Sequence, residues 1–181
     1  MVALSAAAAA GDAALAIRRL GRRDMPAVER HLLALGPADR RKRFLSPADD
    51  GAIARYVAGI NPDRAVIVGA ADPDGGLVGI AEAHPVVDAP RTVEVAVSVQ
   101  PYHRREGLGR RLVAHAVSLA FAEGAEAAVF LFAPENRAVA GLAGALEARF
   151  PAPGRAVLLA GALRAGSAAP SATAGALELA A

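Results

Sequence analysis

The chain has 181 residues, enough for one domain with a buried core. Its hydrophobic fraction is 54% with only 4% aromatic residues, and no run of about 20 strongly apolar residues crosses a membrane. The absence of cysteine excludes disulfides, thiolate metal sites and a cysteine nucleophile, and the histidines at 31, 84, 103 and 115 lack metal-ligand spacing. With a net charge of +2, the basic clusters at 18–23, 40–43 and 104–111 read as solvated faces or contacts to a polyphosphate. Few aromatics are available for base stacking, so nucleic acid is not the expected partner.

Met1 to Leu15 lacks a basic n-region, is mostly alanine and is interrupted by Asp12. It reads as a flexible leader rather than a secretory signal, and the expected location is cytoplasmic. A strand is predicted at Ala16–Leu20. Asp24 followed by Pro26 opens a helix carrying Val28, Leu32 and Leu35 at helical spacing, and Gly36-Pro37 stops it. A second helix is expected from Ser46-Pro47, with Asp49 three residues after the cap, through Ile53 and Val57 to Gly59.

From Ala65 the period changes. Ala65–Ala71 and Leu77–Ala83 flank the turn sequence Asp72-Pro73-Asp74-Gly75-Gly76, which predicts an antiparallel hairpin. Thr92–Val99 alternates valines with Glu94, Ala96 and Ser98, as a strand does. A helix follows over about 107–123, with Leu108, Leu112, Ala116 and Leu119 on one face, and Gly124 ends it. Ala127–Ala133 is almost wholly apolar, the pattern of a central strand. A last helix is expected over Asn136–Phe150, with Val139, Leu142, Leu146 and Phe150 facing the core, and then one strand at Ala156–Ala160. Residues 165–181 read as a loose Ala/Gly/Ser-rich tail. The strand–helix–strand unit at 92–133 predicts a parallel crossover.

The segment that carries chemistry runs from Val97 to Arg111. A strand leads into a loop holding Arg104 and Arg105, then Gly107 and Gly109, then a helix. The first helical turn leaves amide hydrogens without intrahelical partners, and the helix dipole adds positive character there. Glycines remove side chains that would keep a phosphate away, and Arg104, Arg105, Arg110 and Arg111 surround the same opening. The pattern describes a pyrophosphate cradle, although a Gly-x-Gly pair also closes an ordinary turn. A dinucleotide fingerprint would need a third glycine where Leu112 stands, and the Gly-Lys-Ser/Thr of a Walker loop is absent.

Arg104-Arg105-Glu106-Gly107-Leu108-Gly109 resembles the Arg/Gln-x-x-Gly-x-Gly/Ala motif of the GNAT superfamily of acyl-CoA N-acyltransferases. Pro134-Glu135-Asn136-Arg137-Ala138 is similar to that family's Asn-x-x-Ala segment opening the fourth helix, and the element order from about 16 to 160 also resembles the family. The resemblance implies a GNAT fold of class α/β (α+β), with a mixed sheet of about six strands and four helices, in a domain spanning 16–164. It implies acetyl-CoA or a similar acyl-CoA as co-substrate, with no metal. The backbone from Arg104 through Arg105, Glu106, Gly107, Leu108 and Gly109 to Arg110 would hold the pyrophosphate. The strand edge at Val97 and Val99 would pair with the pantetheine amides. Asn136 would contact the pantetheine arm or serve as a helix cap.

The acceptor implied is a primary amine, on a protein lysine or a small molecule, and it needs a base to remove its proton. Glu94 is the candidate catalytic residue, with Glu82 and His84 on the preceding strand as substitutes, while an edge or salt-bridged glutamate is the other reading of Glu94. Thr92-Val93-Glu94-Val95-Ala96-Val97 resembles the Ala-Glu-Phe-Ala-Val stretch of GNAT domains joined to acyl-CoA synthetase-like modules, which are protein-lysine acetyltransferases. The segment Leu35-Gly36-Pro37 to Arg43-Phe44 resembles the Leu-Ser-Pro…Arg-Phe segment of those domains. Many family members carry a tyrosine late in the fourth helix that protonates the thiolate; Phe150 stands there, and the only tyrosines are Tyr56 and Tyr102. Only one of the family's two final strands is predicted. A monomer or homodimer is expected, and a non-catalytic acyl-CoA-binding module is the alternative to an enzyme.

Overall fold

The computed structural model describes residues 15–161. The leader expected at 1–15, apart from Leu15, and the tail at 165–181 lie outside that range. Alternating β-branched residues build a seven-stranded sheet in the order β1-β2-β3-β4-β5-β7-β6. The strands are β1 Ile17–Arg19, β2 Val66–Ala71, β3 Leu77–Pro85, β4 Thr92–Val99, β5 Ala127–Leu131, β6 Arg149–Ala152 and β7 Arg155–Leu159. All neighbours pair antiparallel except β4 and β5, which are parallel and joined through helix α4, Leu108–Ala122. Strand alternation sends Val68, Val93, Val95, Ala128, Phe130 and Leu158 to the α4 face, where they meet Leu112, Val113, Ala116 and Val117. The opposite face, with Ile67 and Ile80, packs under α1 (Met25–Leu33) and α3 (Asp50–Gly59) through Val28, Leu32, Ile53 and Val57.

Helix α2, Pro37–Phe44, stands where the sequence predicts only a break and a basic loop. Its stretch PADRRKRF has one large apolar residue, so no hydrophobic periodicity announces it, although Pro37 at the first helical position suits a helix start. Two caps also differ from expectation. Asp24 makes no capping bond to α1; its carboxylate accepts from the Gly21 amide, capping the short turn before the helix, and from the Arg18 guanidinium. Helix α3 is capped by Asp49 rather than Ser46, with the Asp49 carboxylate accepting from the Ala52 amide at 2.7 Å.

The largest departure is at the C-terminal end. Helix α5 covers only Arg137–Gly144, and the expected end of that helix is strand β6, so the described residues include two final strands and seven in all. Glu147 at φ 63° breaks the helical path, and Gly154 at φ 73° turns β6 into β7. Phe150, expected in the core, is 50% exposed. Pro151 and Pro153 hide the strand from a sequence reading, yet an edge strand tolerates proline because one row of its amides needs no partner.

Gly79 on β3 sets how closely α4 approaches the sheet. A Cβ there would lie 2.8 Å from Leu112 Cδ1 and 3.4 Å from both Leu108 Cδ2 and Val99 Cγ2. Gly79→Val is therefore expected to lower stability by about 1–3 kcal/mol through overpacking. Urea denaturation measures it; a change below about 0.5 kcal/mol, the range of ordinary surface substitutions, would show that the contact is not tight.

Candidate active site

Strand β4 ends at a 3₁₀ turn, Pro101–His103, and the loop then reverses into α4. Arg105 has φ 66° and Gly107 φ 76°, both left-handed. Such a conformation is costly for arginine and cheap for glycine, and strain of this kind collects at functional loops. The first return bond of α4 runs from the Arg111 amide to the Gly107 carbonyl at 3.1 Å. Among the described residues the amides of Leu108, Gly109 and Arg110 have no carbonyl partner. They form a concave set of donors at the positive end of a fifteen-residue helix. Nothing lies within 4 Å of a Cβ built on Gly107, so its requirement is conformational rather than steric.

The side chains around this loop divide the work. Leu108 is buried in the α4-side core, so only its backbone is offered outward. Arg104 Nε donates to the Val99 carbonyl at 2.8 Å, and its Nη2 pairs with Asp39 of α2 at 2.8 Å. That side chain fixes the loop to α2. Arg111 turns away to the Leu15 carbonyl, while Arg105, Glu106 and Arg110 are exposed. Gln100, at the loop's start, donates to the His31 carbonyl at 3.1 Å. The His31 ring is buried, with Nδ1 on the Leu77 carbonyl and Nε2 on Ser98 Oγ, both 2.9 Å. Burial lowers its pKa, so the ring is neutral: Nδ1–H donates to the carbonyl and Nε2 accepts from the hydroxyl.

Beyond the loop the sheet opens. The β4–β5 ladder pairs Thr92, Val93 and Glu94 with Ala127, Ala128 and Val129 and then ends. Strand β4 continues to Val99 against β3, and β5 continues to Leu131 against β7. Among the described residues, the edge of β4 from Val95 to Val99, which includes Val97, thus has no strand beside it, and its backbone groups can take an extended ligand. A cleft of about 360 Å³ lies at the mouth, lined by Pro37, Ala38, Arg41 and Lys42 of α2 and by Ala133, Glu135 and Asn136 after β5. Asn136 is buried and caps α5, accepting weakly from the Val139 amide at 3.4 Å. Glu94 sits at the fork on a central strand, yet it is exposed and has no hydrogen-bond or salt-bridge partner among the described residues.

Next to Glu94, on the same face, is a polar network that the sequence does not reveal. Glu82 is fully buried. Its Oε1 accepts from Arg43 Nη2 at 2.8 Å, and its Oε2 accepts from the Tyr56 hydroxyl at 2.6 Å and from His84 Nε2 at 2.8 Å. Arg43 Nη2 also donates to the Tyr56 oxygen at 2.9 Å, and the Arg43 guanidinium lies over the Phe44 and Tyr56 rings. Burial alone pushes the Glu82 carboxyl up; the Arg43 charge and the bonds from His84 and Tyr56 outweigh it and hold it at about 2. Burial and the Glu82 charge raise the Tyr56 pKa, so its hydroxyl keeps its proton. Glu82 is therefore not a free base, and the Tyr56 hydroxyl proton is committed to Glu82. Tyr102 is 94% exposed. Arg43 and Tyr56 enter the site through α2 and α3. The basic run containing Arg43-Phe44 is the only sequence signal that points to either.

A model of the acetyltransferase (GNAT) family matches residues 30–146. No curated protein matches the sequence. Among solved structures, the GNAT domain of S. lividans PAT is similar at TM-score 0.65 and 16% identity, covering 79% of this chain and 89% of that one. A putative acetyltransferase, yncA of Salmonella typhimurium, solved with its cofactor acetyl-CoA, gives 0.63 and 20%, covering 88% and 99%. Spermidine N-acetyltransferase of Vibrio cholerae, solved with CoA and spermine, gives 0.62 and 18%, covering 84% and 99%.

The buried pair has a direct thermodynamic signature. The folded pKa of Glu82, about 2, lies below the ordinary 4.5. Its stabilisation is thus complete above 4.5 and lost as pH falls toward 2. Glu82→Gln leaves Arg43 charged, buried and uncompensated, and is expected to cost about 3–5 kcal/mol at neutral pH. Urea denaturation of both proteins across the acid range checks this: the substitution should also flatten the acid loss seen in the wild type.

Proposed function

This chain belongs to the acetyltransferase (GNAT) family, and on that premise we propose that it is a cytoplasmic N-acyltransferase. It moves an acyl group from acetyl-CoA or a similar acyl-CoA to a primary amine, on a protein lysine or a small molecule. The observation that carries this reading is the fork after Glu94 and Val129, with the amide cradle at the far end of the same strand. A pyrophosphate fits the donors from Leu108 to Arg110, and a pantetheine arm fits the unpaired edge at Val97 and Val99. Its thioester then lies near Glu94. One structural neighbour carries acetyl-CoA and another carries CoA with a polyamine, spermine.

An alkyl amine has a pKa of about 10.4 and arrives protonated. An exposed carboxylate at the fork attracts that ammonium and assists loss of its proton to a base beside it. A thiol of pKa about 8.5 is a fair leaving group without a tyrosine acid, which agrees with the engagement of Tyr56 elsewhere. That same engagement favours the second reading, a module that binds acyl-CoA without turnover.

Calorimetric titration of acetyl-CoA and free coenzyme A tests the first step. Wild type should bind in the micromolar range, and a folded Gly107→Trp, Gly109→Trp variant should lose about 100-fold or about 2.7 kcal/mol. An amine panel then separates enzyme from binding module. Glu94→Gln is expected to lower kcat/KM for the best amine by about 100-fold with acetyl-CoA affinity unchanged. A folded wild type that binds neither ligand would sink the assignment.

A further inference from the structure

We propose that His84 Nδ1 is the atom that takes the acceptor's proton, with Glu82 as the residue that positions the ring and Glu94 as the counter-ion of the incoming ammonium. This rests on the acyl-transfer reading above and assigns the base within it.

The argument begins with the tautomer. Glu82 Oε2 belongs to an ionised carboxylate and can only accept, so the 2.8 Å contact requires a hydrogen on His84 Nε2. The neutral ring then carries its lone pair on Nδ1. That atom has no partner among the described residues. Arg43 Nε is the single buried side-chain nitrogen or oxygen there without one, so Nδ1 is open to solvent. The His84 side chain is 30% exposed. Glu82 is held from three sides, by Arg43 on α2, Tyr56 on α3 and the ring itself. A carboxylate this constrained orients an imidazole rigidly.

The register supplies the second half. His84 on β3 pairs directly with Glu94 on β4, and directly opposed residues have Cβ atoms about 5 Å apart on one face. An ammonium drawn to Glu94 is thereby brought to Nδ1 at the point where β4 and β5 separate. Nδ1 offers a lone pair at the fork, while the Glu94 carboxylate holds the ammonium beside it. The acceptor R–NH3⁺ gives one proton to Nδ1. The free amine forms the C–N bond as the thioester C–S bond breaks, the second amine proton goes to the departing sulfur to give a thiol, and the imidazolium returns its proton to water.

The ring is surrounded by Glu82 on its own strand, Glu94 on β4, Tyr56 on α3 and Arg43 on α2, with buried His31 of α1 close enough to Glu82 to feel its charge. Arg43, Tyr56 and Glu82 keep one charge state through the neutral range. His31 is held neutral by burial. An ionisation lost with the ring therefore belongs to the ring.

The test is the pH dependence of kcat/KM for the best amine in wild type and His84→Gln, with acetyl-CoA affinity measured in both. The expected result is a loss of about 100-fold and a pH profile that lacks one ionisation of the wild type, at unchanged acetyl-CoA affinity. Nitrogen-15 spectra of the wild-type ring should show hydrogen on Nε2 and a bare Nδ1. Turnover by His84→Gln with the wild-type profile, or a ring protonated on Nδ1, overturns the assignment alone. A wild type that binds acetyl-CoA and acylates no amine removes the acyl-transfer reading, and this assignment falls with it.

Discussion

The geometry of the site depends on the short length of one ladder. Parallel pairing between β4 and β5 stops after Glu94 and Val129 because each strand then follows a different neighbour, β3 for one and β7 for the other. A fully zipped sheet would satisfy those backbone groups and close the fork. The open edge instead offers donors and acceptors that are already extended, at no cost in ordering the protein when a ligand pairs with them. Helix α4 keeps the fork open without loss of the core. It packs across β2, β3 and β4 through Leu108, Leu112, Ala116 and Val117, so the valines on that face of β4 are covered even where the strand has no partner.

The second constraint is electrostatic, and it carries a cost. Glu82 is a fully buried charge, and burial is the largest influence on it, acting against ionisation. An apolar residue at this position would pack without such a penalty, so the pair is weak evidence for stability. What the pair supplies is orientation. Arg43 brings α2, Tyr56 brings α3, and both converge on one strand residue, Glu82, three positions before Pro85. Removing any member leaves the others with unmet polar atoms in a dry setting. The Arg104–Asp39 pair performs a milder version at the other end of α2, on the surface, where such pairs count for about 0–1 kcal/mol. Helix α2 is thus tied at one end to the loop that carries the free amides and at the other to the polar face beside Glu94.

Much of the fold is legible in the sequence, for specific reasons. Strand β4 shows because its valines alternate with polar residues on a half-covered surface, and its bounds are found as Thr92–Val99. The turn at 72–76 and the glycine after α4 show because their backbone conformations demand those residue types. Helix α2 is not legible, since its polar sequence hides the helical period while its anchors, Arg43 and Phe44, sit together at one end. Strand β6 is hidden by Pro151 within it and Pro153 just after it. The loop from Arg104 to Arg110 is legible as a motif, yet the roles within it are not. The sequence cannot tell that Arg104 would bridge to Asp39 or that Leu108 would offer only its backbone. Glu82 and His84 could be named as candidates, but a carboxylate's usefulness as a base depends on what surrounds it, and Arg43 lies 39 residues away in the chain.

Strand β4 binds these parts into one device because a strand has two faces and two edges. One face, Val93 and Val95, belongs to the core. The other begins with Glu94 in the open and ends with Ser98 held by His31. One edge is paired to β3 along the strand, which fixes where Glu94 meets His84. The remaining edge is unpaired from Val95 onward and runs toward the amides of α4. A ligand following that edge therefore spans from the cationic helix end to the acidic and imidazole groups. The distance between the two chemistries is set by strand rise, about 3.3 Å per residue. Any change that lengthened the β4–β5 ladder by one pair would shorten this track and cover the groups at its end, with every residue of the site still in place.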